Sequence, residues 1–132
     1  MKYEIGQSAQ VTKTITETDV YLFAGVTGDM NPAHVNEVYA QGTRFQHRIA
    51  HGMLSAGLVS AALGMYLPGP GSIYMGQTLK FRAPVYIGDT ITAVVTITSL
   101  DTEKNRAVLE TKVVNQEGKT VVTGEATLLL PN

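Results

Sequence analysis

The stretch MLSAGLVSAALGMYL, residues 53–67, contains no charged residue and consists mainly of Leu, Ala, Met, Val and Gly. A helix that is apolar on all sides is normally buried on all sides. Its length falls short of the roughly 20 residues that a membrane-spanning helix needs. The sequence therefore predicts a central helix, buried on nearly all sides, that ends at the Pro-Gly-rich residues 67–71.

The residues after this helix alternate between apolar and polar side chains, as strands do when one face packs on a core. The alternation covers residues 72–82, 90–98, 107–114 and 119–130. Polar turns join the last three segments, which predicts hairpins and therefore an antiparallel sheet. Because one curved sheet covers only one side of an apolar helix, we expect a sheet that wraps far around it or a partner subunit.

The residues before the central helix predict a strand at 9–15 and two short helices. Thr16 or Thr18 would cap the first helix, which would end at Gly28. Asn36 would cap the second. Helices and an antiparallel sheet in one chain indicate the α+β class.

Residues 29–48 form a helical excursion between the first helix and the central helix, and its start carries two titratable side chains. Pro32 has no backbone donor and pushes Asn31 out of the helical region. Asp29 and His34 should then lie on folded-over backbone, where their side chains can converge. A carboxylate and an imidazole held in this way are what general acid–base catalysis needs. A capping aspartate and a surface histidine are the alternative for any isolated pair of this kind.

The start of the central helix gives a second candidate feature at Gly52. The first amides of a helix have no intrahelical acceptor and carry the positive end of the helix dipole. A glycine there lets a ligand approach the backbone closely. An acid–base pair followed by an anion-stabilising helix start indicates enolate or acyl chemistry. The alternative is that Gly52 only permits tight packing.

Composition limits the classes of function. The 132 residues fit one domain, residues 1–132, and the net charge of −1 gives no electrostatic reason to bind nucleic acid or an anionic membrane. Cysteine is absent, which excludes disulfides, thiolate nucleophiles and cysteine-based zinc sites. Residues 1–4 lack the apolar core of a signal peptide, so we expect a cytoplasmic protein.

Several of these motifs together resemble the MaoC-like dehydratases, or R-specific enoyl-CoA hydratases, over nearly the whole chain. They occur in the family's order: Gly28-Asp29-x-Asn31-Pro32-x-His34, Ile49-Ala50-His51-Gly52-Met53, Gly71-Ser72-Ile73-Tyr74 and Phe81-x-x-Pro84-Val85. The resemblance implies a hot-dog fold, in which an antiparallel sheet wraps around one long central helix, and the family's usual dimer. It also implies reversible hydration of trans-2-enoyl-CoA to (R)-3-hydroxyacyl-CoA, a lyase reaction that needs no metal or cofactor.

The resemblance gives each candidate residue a role. His34 would be the general base, and Asp29 would either polarise the same water or exchange a proton at C2. Gly52 would donate its amide to the thioester carbonyl. Asn31 is best read as fixing the turn through an Asx-type bond, although it could also orient a partner. Ser60 could point towards the site, as a similarly placed serine does in some family members, or bond back to its own helix.

Other interpretations remain open at this point. The three histidines, His34, His47 and His51, lack a tight metal-ligand spacing, so we expect no metal site, and His51 is better read as structural than as a second base. The substrate carrier could be CoA or acyl-carrier protein, and basic side chains could meet the phosphates of CoA: Arg44, Arg48, Lys80 and Arg82. A thioesterase on the same fold and a non-catalytic acyl-thioester-binding subunit are the competing functions.

Overall fold

A computed structural model describes residues 3–132 of the chain. The elements in chain order are β1 (Ser8–Thr14), α1 (Glu17–Thr27), α2 (Pro32–Val35), α3 (Glu37–Gln41), α4 (Gly52–Met65), β2 (Ile73–Phe81), β3 (Thr90–Asp101), β4 (Arg106–Val114) and β5 (Thr120–Leu129). The five strands form one sheet in the order β1-β3-β4-β5-β2, and every neighbouring pair is antiparallel. The sheet packs around α4, which confirms the predicted hot-dog arrangement in the α+β class.

The strand order places β1 and β2 at the two edges of the sheet. The predicted hairpins appear as the meander β3-β4-β5, while β2 pairs with β5 and not with β3, its successor in the chain. The strand predicted at 72–82 is real, but almost all of its residues are exposed within the single chain. An edge strand that α4 contacts less than it contacts β1 and β3 has little to bury its apolar face, and periodicity alone does not reveal which strand lies at an edge.

The central helix differs from the prediction on one point. It runs from Gly52 to Met65, close to the expected bounds, and one side packs on the sheet through buried residues such as Val59, Ala62 and Leu63. The opposite side is exposed within the chain, at Met53, Gly57, Ser60, Gly64 and Met65. Of the two expected covers for this helix, the sheet that wraps far around it is therefore wrong, because the sheet covers only one side, and the partner subunit stays a prediction.

No helix among residues 3–132 combines the length and the apolar character needed to cross a bilayer.

Candidate active site

The first helix ends where the candidate site begins. Thr16 caps α1 as predicted and forms a capping box with Asp19: the Thr16 hydroxyl accepts from the Asp19 amide, and the Asp19 carboxylate accepts from the Thr16 amide. At the other end Gly28 adopts φ 81°, in the left-handed region, and its amide donates to the Ala24 carbonyl. This C-cap turns the chain sharply and delivers Asp29, which is exposed, into the helical excursion.

Asn31 and Pro32 then start the one-turn helix α2, an element that the sequence did not predict. The Asn31 side-chain oxygen accepts from the Ala33 amide at 3.0 Å, and Pro32 occupies the first helical position. The Asp29 carboxylate accepts from the Asn31 amide at 3.2 Å. Asn31 therefore caps α2, in agreement with the structural role predicted for it, and the turn of helix presents His34.

The ring of His34 is fixed by one hydrogen bond to the main chain. Its Nδ1 lies 2.6 Å from the carbonyl oxygen of Ile49, which can only accept, so Nδ1 carries the proton in the neutral ring. The opposite nitrogen, Nε2, is then left with its lone pair. Ile49 is itself held by a bridge to Tyr86, and the Ala50 amide donates to the Val85 carbonyl at 2.7 Å. The tautomer that a general base needs is thus set by an anchored carbonyl.

His51 lies directly behind the ring of His34. The residue is 3% exposed, and its ring stacks on that of His34 with 3.9 Å between centroids and 29° between planes. Its Nε2 is 2.9 Å from the main-chain carbonyl oxygen of Asp29, so it donates there. The other nitrogen, Nδ1, is buried without a hydrogen-bond partner among the described residues. Phe23, on α1, contacts the His51 ring at 4.8 Å between centroids.

The three titratable side chains converge, as the spacing of Asp29 and His34 predicted. A carboxylate oxygen of Asp29 and ring nitrogens of His34 and His51 lie within 4.8 Å of one another. Such a set could in principle hold a metal ion. Two imidazoles on one tetrahedral zinc, with Zn–N bonds of about 2.0–2.1 Å, have centroids about 5 Å apart, so the stacked rings would have to separate. The geometry favours acid–base chemistry over metal binding.

A cavity of about 500 Å³ opens beside His34. Its lining includes Gly52 at the start of α4 and Phe81 at the end of β2, whose ring packs directly against Gly52. The first amide of α4 has no intrahelical acceptor. Most of the remaining lining is apolar: Phe45, Ile49, Ala50, Met53, Ala83, Pro84, Val85 and Val122, together with the polar residues Arg44, Ser55 and Arg82.

Two serines of α4 occupy different faces of the helix. Ser60 lies on the exposed side and does not line the cavity, so within one chain it is separate from His34. Ser55 is 1% exposed and lines the cavity. The sequence reasoning missed Ser55, although it lies four residues after His51 and hence on the same side of the helix. Phe81 was missed as well, because only the fold brings it to the helix start.

The basic residues divide into two groups. Arg44 and Arg82 line the cavity, whereas Arg48 is engaged elsewhere. The Arg48 guanidinium bonds Glu17 at 2.7 Å and the Tyr21 hydroxyl at 2.8 Å, and its main-chain amide donates to Glu37. The bond from Arg48 lowers the pKa of Glu17 below its ordinary value. Arg48 therefore ties the helical excursion to α1 and is not free to meet a phosphate.

Comparison with known proteins agrees with this geometry. The MaoC-like domain model matches residues 2–122. An (R)-specific enoyl-CoA hydratase from Rhodospirillum rubrum is 60% identical over 126 residues, covering 96% of this chain and 87% of that protein. The solved structure of an R-hydratase from Pseudomonas aeruginosa superimposes with a TM-score of 0.95 at 49% identity, covering 99% of this chain and 84% of that one.

A second hydratase gives the same result over its full length. The (R)-specific enoyl-CoA hydratase from Aeromonas caviae is 45% identical over 97% of this chain and 96% of its own. The solved (R)-hydratase from A. caviae superimposes with a TM-score of 0.96, at 98% coverage of both chains. Sequence and fold thus agree along the whole length, and the chain belongs to the MaoC-like domain family.

Proposed function

We propose that this protein is a hydro-lyase that reversibly adds water to trans-2-enoyl-CoA to give (R)-3-hydroxyacyl-CoA. The observation that carries the proposal is the convergence of Asp29 with His34, a residue that lines a largely apolar cavity at the start of a helix and whose Nδ1 is bonded to the main chain. The names of the relatives from R. rubrum and A. caviae support the same reaction class.

In this mechanism each group has one task. His34 Nε2 takes a proton from water while the water oxygen bonds to C3 of the enoyl chain. The electron pair of the C2–C3 double bond moves towards the thioester, and the Gly52 amide stabilises the negative charge on its oxygen. The proton that His34 took is then delivered to C2, directly or by way of Asp29, so that one water is consumed and the acid–base pair is regenerated. Asp29 either polarises the attacking water or exchanges the proton at C2.

The cavity suits an acyl thioester of limited size. Its walls are mostly apolar, as an acyl chain requires, and Arg44 and Arg82 are the cationic side chains in its lining. We propose that these two arginines lie towards the phosphate-bearing part of the carrier, which would be CoA or acyl-carrier protein. The reaction needs no cofactor, since water, the acid–base pair and the amide account for every bond that changes. We also propose a cytoplasmic location.

We further propose that the protein is a homodimer. Large apolar side chains are exposed on α4, β2 and the residues between them: Met53, Met65, Tyr66, Ile73, Tyr74, Met75 and Phe81. β2 pairs on one side only, with β5, so its other edge presents unpaired main-chain groups. A second copy that pairs at β2 and packs against the exposed face of α4 would cover both. Light scattering should give twice the monomer mass of 14.2 kDa.

The decisive assay is the loss of enoyl-thioester absorbance from crotonyl-CoA, with a thiol reagent in a parallel cuvette. Hydration removes the absorbance without releasing thiol, and a chiral assay should find the R alcohol. Thiol release would identify a thioesterase instead. Binding of acyl-CoA without turnover, for short, long and branched chains alike, would identify a non-catalytic subunit.

Conservative variants test the two proposed catalytic residues. Asp29→Asn and His34→Gln should each lower kcat by at least about 10²-fold, the lower part of the range for general acid–base catalysis. His47→Gln is the matched control, because His47 is 68% exposed and pairs with Glu37 away from the cavity. Near-wild-type turnover in either of the first two variants would refute the assignment.

A further inference from the structure

The His51 side chain contacts both proposed catalytic residues. Its ring stacks on His34 at 3.9 Å between centroids, and its Nε2 donates to the Asp29 carbonyl at 2.9 Å. It also immediately precedes Gly52, the first residue of α4. The base, the acid and the amide donor of the proposed reaction are thus connected through this one buried side chain.

A histidine is not the residue that simple space-filling would select at this point. The Nδ1 atom of His51 is buried without a partner, and an unpaired buried polar atom costs free energy. A Phe or Leu would fill the same volume without that cost. The imidazole alone combines a flat face for the His34 ring with an N–H for the Asp29 carbonyl.

The two contacts act on different parts of the site. The stack restrains rotation of the His34 ring, whose Nδ1–H bond to Ile49 leaves the ring free to tilt about one axis. The bond to Asp29 fixes the main chain just after the left-handed Gly28, where the first helix has ended and no helical hydrogen bond holds the chain. Phe23 packs on the other side of His51 and keeps it in place.

We propose that His51 is a positioning residue: it aligns the His34 ring and the Asp29 main chain for hydration without touching the substrate. The inference rests on the proposed function for the identity of the reaction. His51 is 3% exposed and does not line the cavity, whereas His34 and Gly52 do. Removing it should therefore lower kcat and leave KM nearly unchanged, since KM reports substrate binding when chemistry is slow.

Two variants separate the contacts. His51→Phe keeps a ring on His34 but removes the N–H, and His51→Gln keeps an N–H at a similar reach but removes the ring. Because a misplacement of about 1 Å can cost about 10²-fold in rate, we expect each variant to lose about 10-fold to 10²-fold in kcat, with KM within about two-fold. His47→Gln, which changes a histidine at the surface and away from the cavity, should leave both constants unchanged.

A substrate-free readout keeps this test independent of the activity. In the NMR spectrum, His51→Gln should speed the exchange of the His34 Nδ1 proton with water, while His51→Phe should preserve that proton and shift the Met30 amide, which follows the Asp29 carbonyl. If these changes appear in a protein that hydrates no enoyl thioester, the positioning role stands and the proposed function fails. Wild-type kcat in either folded variant, or an unchanged His34 proton in His51→Gln, would overturn the role of His51.

Discussion

Replacing Gly52 by alanine would test the helix start where it faces the cavity. A Cβ at this position would lie 2.6 Å from Cε1 and 2.7 Å from Cδ1 of Phe81. Carbon atoms in ordinary contact are about 3.5–4.0 Å apart, so the ring would have to move back by about 1 Å. Phe81 is 54% exposed and can turn towards solvent. With the better helix propensity of alanine, the free energy of unfolding should stay within about 1 kcal/mol of wild type.

The activity should respond far more than the stability. Gly52 and Phe81 both line the cavity, so a methyl group that pushes the Phe81 ring out of its place would change the wall beside the Gly52 amide, against which the acyl thioester is proposed to lie. A misplacement of about 1 Å can cost about 10²-fold in rate, and we expect kcat on crotonyl-CoA to fall by about 10- to 10²-fold. The matched control is Gly25→Ala in α1, where an added Cβ meets nothing within 4 Å and which does not line the cavity.

The outcome decides whether the Gly52 amide acts on the substrate. Wild-type kcat and KM in Gly52→Ala would refute the placement of the thioester oxygen at this amide. A second substitution, Phe81→Leu, gives the new methyl group room. Recovery of activity in the double variant would assign the loss to the displaced ring, whereas a persistent loss would assign it to the methyl group beside the amide.

Three other substitutions test the interface, the sheet and an ion pair. On the exposed face of α4, a Cβ added at Gly57 meets nothing within 4 Å in the chain, but Gly57→Glu would bury a charge in the proposed dimer. We expect this variant to have a monomeric mass by light scattering, and a dimeric mass would place the interface elsewhere. In the sheet, a Cβ at Gly124 would overlap the carbonyl oxygen of Thr78, which is backbone and cannot turn away. The free energy of unfolding of Gly124→Ala, measured by urea titration, should therefore be lower than that of the wild type by about 3 kcal/mol or more. An unchanged midpoint would contradict the pairing of β2 with β5. Because Arg48 lowers the pKa of Glu17 below its ordinary 4.5, this pair stabilises the fold above that pH, and its contribution is lost on acidification. Between pH 6 and roughly pH 3, the free energy of unfolding should therefore fall further in the wild type than in Glu17→Gln. Parallel losses in the two proteins would show that the pair contributes nothing.

Local signals in the sequence predicted the elements well. Thr16, Gly28 and Asn36 are the observed caps, because a cap depends on a side chain or a φ angle within three residues of the helix end. The start of α4 at Gly52 also agreed to within one residue. Which of the two expected covers this helix has could not be decided from the sequence, since an apolar pattern shows that a surface must be covered but does not show whether the same chain covers it.

The site shows the same division between local and distant information. Asp29 and Gly52 could be identified because each follows a helix stop or begins a helix, and His34 because Asn31-Pro32 precedes it. Their assembly depends on contacts between distant residues: His34 bonds Ile49, 15 residues away, and His51 bonds Asp29, 22 residues away.

The motifs also do not show which long-range contacts the side chains of the candidate site make in the fold. His51 belongs to a motif that reads as the entry to a helix, yet the fold uses its side chain as the link between α4 and the helical excursion. Phe81 belongs to a strand end, yet the fold sets its ring against Gly52. Both residues fall in motifs of the family resemblance, but neither motif indicates what the side chain contacts in the fold. Substitutions at these two positions should therefore lower kcat although the motif around Asp29 and His34 stays intact. The long-range contacts of His51 and Phe81 explain such losses, and the motif alone does not.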